Sequence, residues 1–357
     1  MQLRVLDFGS QPALRSQAVY HGIAHHMQPG DTPVLTLVNP SSPYVCVGLH
    51  QDVTLEVDED YCREHQLPII RRHVGGGAVF LDQNQLFFHF IYPAEKAPRR
   101  VSDIYSHFIE PVIQTYHRLG VQAIFRPVND IHVDGRKIGG TGAASIGDAT
   151  LMVGSFMFDF DVDTMSRCLK VPSEKFRDKL RAGMSDYITT LTRELDTPPS
   201  RETVIKTFME ELAIHLQVDP VMDQATQDEE AAIARQEREL QDPEWTYQKG
   251  RRFIERGVKI SADTHLAEGA FKAPGGLIRS RLLAKDDHIV DLSLSGDFTV
   301  FPEDGMQRLA DALKGVPLTQ DSLQGATQQA MTDVALDIPG VTHVDIATAI
   351  TAAFRGS

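Results

Sequence analysis

Two short stretches of this sequence hold residue types in an order that packing alone does not require. In the first, Arg71-Arg72-His73-Val74-Gly75-Gly76-Gly77-Ala78-Val79-Phe80-Leu81-Asp82, three consecutive glycines stand between two apolar runs. Each glycine costs backbone entropy and supplies no side chain to bury, so the run is expected where something approaches the backbone closely. Bare amides can converge on phosphate oxygens, and a neighbouring arginine fork neutralises the same group. The spacing is neither GxGxxG nor GxxxxGK[ST], which disfavours the dinucleotide fold and the P-loop. By residue types alone, a glycine-rich hairpin turn with two surface arginines fits as well. The second stretch is Asn129-Asp130-Ile131-His132-Val133-Asp134-Gly135-Arg136-Lys137-Ile138-Gly139-Gly140-Thr141-Gly142. Its Asp134-Gly135 pair predicts a type I′ hairpin turn, sending Lys137 out on a strand and then into another bare-backbone loop. A lysine fixed beside exposed amides is an anion clamp, able to bridge a carboxylate and an α-phosphate while an acyl phosphate forms. Asn129 and Asp130 stand where they could orient that amine or hold a divalent cation through water. An ordinary hairpin surface lysine is the competing reading of the spacing.

The elements that must position these stretches follow from periodicity. To about residue 216, β-branched runs alternate with amphipathic stretches, the pattern of a mixed α/β domain. Strands are expected over 33–40, 44–49, 68–73, 85–92, 130–133 and 151–160, and helices over 14–27, 58–65, 102–119 and 200–217, the third stopped by Gly120. From Asp219 to Glu244 nine acidic residues face two arginines, so 218–244 reads as a solvated helical connector between a domain 1–240 and a second unit 245–357. That second unit contains two alternating strands joined by a Lys-Asp-Asp turn, then helices over 303–313, 318–332 and 344–354, a small α+β module.

Composition narrows the classes. The chain has 357 residues, 42% hydrophobic, enough for more than one core. Its formal charge of −14 disfavours a broad electrostatic grip on nucleic acid or anionic membrane. No long apolar run opens or interrupts the sequence, so a cytoplasmic protein is expected. Three scattered cysteines imply neither a disulfide framework nor a thiolate zinc site.

The two stretches resemble the signatures of the lipoate-protein ligases of the biotin/lipoate ligase fold. RRHVGGGAVFLD (71–82) is similar to the RRxxGGGAVxxD signature, and NDIHVDGRKIGG (129–140) to the family's Asn-Asp, hairpin and Gly-Arg-Lys signature. LMVGSFMFD (151–159) and CLKVPSEKFRDK (168–179) fall where the family has its next strand and its LxxPxxK-like segment. FKAPGGLIRSRLL and LSGDFTVFPEDGMQRLADALKG resemble the accessory domain of these ligases. The resemblance implies an α/β (α+β) chain: a mixed-sheet catalytic domain fused to that accessory domain. It implies a ligase that uses ATP and Mg²⁺ to activate lipoate or octanoate as acyl-AMP. The acyl group would then pass to a lysine of a lipoyl carrier, either a 2-oxoacid dehydrogenase lipoyl domain, a glycine-cleavage H protein or a specialised lipoate-binding protein. Arg72, Gly75, Gly76, Gly77, Ala78, Val79, Phe80, Asn129, Asp130, Gly140 and Thr141 would line the ATP and adenylate site, with Asp130 near the metal. Lys137 would contact the acyl carbonyl and the α-phosphate. Val79, Phe80, Lys137, Val153 and Gly154 would line the lipoyl pocket. Two departures stand out: Val153 replaces the His of a His-Gly-(Ser/Thr) sequence, and Tyr20-His21 replace acidic residues in the first helix.

Other residues offer competing readings. Octanoyltransferases of the same fold use a cysteine thioester without ATP, which makes Cys168 a candidate nucleophile, yet Met165, Cys168 and Leu169 follow the spacing of a buried helical stripe. Cys46 and Cys62 read as structural. A non-catalytic protein that binds lipoyl carriers is the reading from a different class, prompted by the missing His. His21, His25 and His26 read as partly exposed helix histidines, because no glutamate or third ligand completes a zinc site. Arg99-Arg100 and Arg251-Arg252 read as solvated faces, and Trp245 as an anchor at the domain junction.

Overall fold

A computed structural model describes residues 1–248 and 264–355 of the chain; Arg251-Arg252 lie outside the described residues. The chain divides into two compact units. The first comprises Met1–Cys46, Glu56–Arg72 and Ala78–Thr246, and the second comprises Val47–Leu55, His73–Gly77 and Tyr247 onward.

The first unit holds strands β1 (Gln2–Gln11), β2 (Val34–Pro40), β3 (Tyr44–Val47), β4 (Ile69–Arg71), β5 (Val79–Leu81), β6 (Gln85–Pro93), β7 (Ile124–Arg126), β8 (Asp130–Val133), β9 (Arg136–Ile146), β10 (Ala149–Met157) and β11 (Asp219–Asp223). Eight of them form a mixed sheet in the order β11-β1-β2-β6-β10-β9-β8-β7, and β4-β3-β5 form a small second sheet. The central strand β6 is buried throughout, as its QLFFHFIY sequence requires, because both faces are covered. On one face Phe90 stacks on Phe108 of helix Val101–Arg118 at 4.9 Å, and Phe88 and Phe156 pack on Phe208 of helix Arg201–His215 at 5.6 and 5.2 Å. On the other face lies helix Ala13–His26, whose Tyr20 ring stacks on His89 at 4.4 Å.

The segment 218–244 is not a solvated connector. It adds the edge strand β11, parallel to β1, and a helix Gln227–Gln241 packed against helix Ala13–His26. Thr226 and Glu229 close a capping box at its start, and Ala232, Ile233, Gln236 and Leu240 form a buried stripe. Most of the acidic side chains face solvent, while Glu229 is buried and pairs with Arg4 at 2.7 Å, so charge counts mislead about packing. Gly22 makes the close approach possible: a Cβ there would stand 2.5 Å from the Ile233 backbone. Trp245 then donates its indole N–H to the Arg71 carbonyl at 2.9 Å, and the buried Arg71 guanidinium donates to the Trp245 and Thr246 carbonyls at 3.2 and 2.9 Å. Arg71 is therefore no surface arginine.

The second unit contains a three-stranded antiparallel meander, β12 (Thr264–Ala273), β13 (Gly276–Lys285) and β14 (His288–Gly296). Asp286 and Asp287 both take positive φ, the geometry of a tight hairpin turn. The strand β12 adds to the two-stranded hairpin read from the sequence. Helices Gly305–Ala312, Gln320–Val334 and His343–Arg355 complete the unit, and Ile278, Leu282, Leu294, Leu309, Ile346 and Ile350 form its core. The glycine run belongs to this unit: the Gly76 amide donates to the Phe298 carbonyl at 3.2 Å, and Leu49 donates to Val74 at 3.1 Å. His73 Nδ1 lies 2.7 Å from the Glu303 carboxylate, and Arg281 pairs with Asp52 at 2.8 Å.

Candidate active site

The hairpin of β8 and β9 forms as its sequence demands, with positive φ at both Asp134 and Gly135. The bare-backbone loop expected after Lys137 is absent, because β9 runs unbroken from Arg136 to Ile146, so Gly139-Gly140-Thr141-Gly142 is strand. Pairing with β8 on one side and β10 on the other satisfies amides that an isolated glycine run would leave bare. A register shift between Ile131 and His132 sets Lys137 opposite His132 and Gly140 opposite Asp130. Lys137 Nζ then lies 2.7 Å from Asp130 Oδ1. A Cβ on Gly140 would stand 3.0 Å from that same Nζ, so the amine rests over the glycine, where larger side chains would displace it. This pair is partly exposed, so it contributes at most about 1 kcal/mol to stability. Its effect is positional. Asn129 braces the corner: its side-chain amide donates to the Thr141 carbonyl at 2.6 Å, and the Thr141 hydroxyl returns a bond to the Asn129 carbonyl at 2.9 Å. From the far side the Lys137 carbonyl accepts the Thr189 amide at 2.9 Å.

Strand alternation sorts the remaining candidates by face. Gly140 lies on the face occupied by the Lys137 amine, and Gly142, two residues on, lies on that face too. Gly142 pairs with Val153, Val153 with His89, and His89 with Thr36, which makes one row of side chains across four strands on the lysine's face. Val153 is half-buried. Gly154 points the other way: a Cβ there would meet the Phe88 ring at 2.5 Å and the Thr141 methyl at 3.1 Å. Gly154 and Thr141 thus belong to the aromatic-core side, and Gly154 does not share a wall with Val153. Its small size admits Phe88, which explains glycine at that position by packing.

Arg72 and the residues after the glycine run lie along the small sheet. The Arg72 guanidinium donates to the Cys46 carbonyl at 3.2 Å, and β5 pairs Val79 with Cys46 and Phe80 with Val45. Neighbours in a strand face opposite ways, so Val79, half-buried, and Phe80, buried, line different surfaces. Ala78, Val79 and Phe80 belong to the first unit with Arg72, while Gly75, Gly76 and Gly77 belong to the second.

His89 was not among the residues singled out from the sequence, although a lone histidine in QLFFHFIY is a visible break in an apolar strand. It is buried, its Nδ1 lies 2.7 Å from the Thr36 hydroxyl, and burial pushes its pKa down to about 3. The imidazole is therefore neutral in the fold while the unfolded chain titrates near 6.5. The unfolded state binds the extra proton between those values, so stability is full above about pH 6.5 and is lost as pH falls towards 3, with a slope of up to about 1.4 kcal/mol per pH unit. Urea unfolding from pH 7 to 4 should show this loss, and a His89→Leu variant should show a shallower one; equal slopes would contradict it.

Cys168 is buried at the end of helix Val162–Cys168, with Met165 beside it, as the stripe predicted. The neighbouring Cys62 thiol together with burial pushes the Cys168 thiol pKa up, the opposite of what a nucleophile needs. His21 is wholly buried rather than partly exposed, its Nδ1 2.6 Å from the Gln17 carbonyl, while His25 is exposed. Arg99 and Arg100 are exposed. Among the described residues no three His, Cys, Asp or Glu converge as a metal cage, and the Asp130 carboxylate is already held by Lys137. Asp130 by itself offers a single carboxylate to any ion carried by substrate phosphates. No helix of the described residues is long and apolar enough to cross a membrane.

Comparison with known proteins identifies relatives of this chain. The family model described as the lipoyl protein ligase A/B catalytic domain matches residues 12–213. A lipoate-protein ligase of Bacillus subtilis is 33% identical over 177 residues, 50% of this chain and 52% of that protein, so the match spans about half the relative's length. A lipoate-protein ligase A subunit 1 of Thermoplasma acidophilum is 28% identical over 64% of this chain and 90% of its own length. A solved structure from the same organism, described as a bi-partite lipoate protein ligase and its E2 lipoyl domain, superposes with a TM-score of 0.63 at 26% identity, covering 69% of this chain and 95% of that one. With more than half of its length matched by the family model, and with the mixed sheet that carries the Lys137 hairpin in place, the chain belongs to the lipoyl protein ligase A/B catalytic domain family.

Proposed function

We propose that this protein is an ATP-dependent lipoate-protein ligase. The observation that carries the reading is the Lys137 amine, fixed over Gly140 by Asp130 at 2.7 Å on a braced hairpin. An acyl carboxylate and the α-phosphate of ATP are both anionic, and an amine held between them screens their repulsion. The carboxylate oxygen attacks the α-phosphorus and pyrophosphate departs, giving acyl-AMP. Charge builds on the α-phosphate oxygens, where Lys137 stabilises it and Arg72 adds a second cation. In the second half-reaction a carrier lysine attacks the acyl carbonyl and AMP leaves. The acceptor is a lipoyl carrier domain, in keeping with the pairing of ligase and E2 lipoyl domain in the Thermoplasma neighbour's description. Mg²⁺ would accompany the nucleotide and offset phosphate charge.

Incubating the protein with ATP, Mg²⁺ and lipoate, without carrier, should yield lipoyl-AMP and pyrophosphate by mass spectrometry. Failure to form acyl-AMP from lipoate and from octanoate would overturn the reading, and carrier binding in that same inactive protein would favour a non-catalytic role. A Cys168→Ser variant should keep acyl-AMP formation within about twofold, since its thiol is fully buried. An acyl thioester at Cys168, formed without ATP, would reverse that assignment.

A further inference from the structure

Nothing in the ligase reading accounts for a histidine inside the central strand β6. Apolar residues flank it, and a valine there would avoid the cost of burying a polar ring. Its position is informative. Starting from Gly140, beneath the Lys137 amine, two residues of strand rise and two inter-strand spacings lead to His89, a span of roughly 12 Å. That is the reach of an extended octanoyl chain with its carboxylate at Lys137. The half-buried Val153 lies midway along this line, directly between Gly142 and His89. The Tyr20 ring of helix Ala13–His26 stacks directly on His89 at 4.4 Å and holds the imidazole against the sheet. The imidazole is 3% exposed, and among the described residues Thr36 supplies its single hydrogen bond, to Nδ1. Nε2 therefore remains available on the face that carries Val153.

We infer that His89, oriented by Thr36, is the specificity-determining residue at the distal end of the acyl slot, where its Nε2 meets the ring sulfurs of a dithiolane-bearing acyl chain and so favours lipoate over octanoate. The inference rests on the ligase reading. With the Thr36 hydroxyl donating to Nδ1, the ring carries its proton on Nε2 and offers an N–H to sulfur, a soft and polarisable acceptor. A plain methyl terminus would leave that N–H buried without a partner, so octanoate is disfavoured at the same contact.

The test compares kcat/KM for acyl-AMP formation from lipoate and from octanoate in the wild type and in His89→Leu, His89→Gln and Thr36→Val. His89→Leu is expected to lower the lipoate-to-octanoate ratio about tenfold, chiefly through a higher KM for lipoate, and Thr36→Val several-fold. His89→Gln keeps a donor in the strand and should restore part of the preference, which a merely structural role would not do. Thermal melts identify any variant that fails to fold, and the remaining two then decide the outcome. A ratio within twofold of wild type in folded, active His89→Leu would overturn the inference and leave the ligase reading intact. A wild-type protein that activates neither acid would overturn the ligase reading and this inference with it.

Discussion

Replacing Lys137 with alanine is expected to slow acyl-adenylate formation by at least about 100-fold, the typical loss when one preorganised donor to a developing oxyanion is removed. The geometry makes this a kcat effect more than a KM effect. Lys137 lies on β9 two residues past the Asp134-Gly135 turn, its carbonyl held by Thr189 and its amine by Asp130, so its position is set before substrate arrives and costs little reorganisation. In the proposed reaction the charge it would screen grows most as the carboxylate oxygen closes on phosphorus. Pyrophosphate release at saturating lipoate and ATP reads the step directly. Lys137→Arg should not rescue fully, because a planar fork cannot occupy the tight space over Gly140, where even a Cβ would approach the amine at 3.0 Å. Asp130→Asn removes the tether and keeps the size, and a drop of about tenfold is expected. Undiminished pyrophosphate release in Lys137→Ala would remove the central residue of the proposed mechanism.

A Gly22→Val substitution is expected to destabilise the first unit by about 3 kcal/mol, at the upper end for overpacking, because the side chain must enter the backbone of the facing helix rather than a flexible neighbour. A Cβ at Gly22 would lie 2.5 Å from both the Cα and N of Ile233. Helix Gln227–Gln241 would have to lift from helix Ala13–His26, exposing Ala232, Ile233 and Leu240. In a unit of this size the melting temperature should fall by roughly 6–12 °C. Gly22→Ala places the same first atom and should lose a large part of that. Were the acidic segment a loose connector, both variants would melt like the wild type, so one thermal scan distinguishes a packed helix from a tether.

These two positions show what local sequence does and does not encode. Asp134-Gly135 specifies its turn through backbone φ alone, and the turn forms as read. The helices at 14–27, 102–119 and 200–217 appear within two residues of their expected limits, since apolar periodicity and capping are local. The glycines at 139–142 were legible as unusual but not as strand, because whether bare amides are free depends on the strands that flank them. Likewise the charge excess of 218–244 says which residues face water and nothing about the narrower stripe that faces Gly22. Arg71 and Arg72 are adjacent and identical in type, yet one guanidinium is buried against the Trp245 and Thr246 carbonyls while the other reaches the Cys46 carbonyl beside β5.

By itself the sequence determined the fold class, the hairpin carrying Lys137 and the family signatures, all of which depend on neighbours within a few residues. Tertiary structure alone decided that Lys137 meets Asp130, that Cys168 is sealed against Cys62, that Val153 and Gly154 face opposite ways, and that His89 falls in line with Val153. Pairing register sets which side chains from distant strands share a face, and a shift of one residue would turn every one of them over.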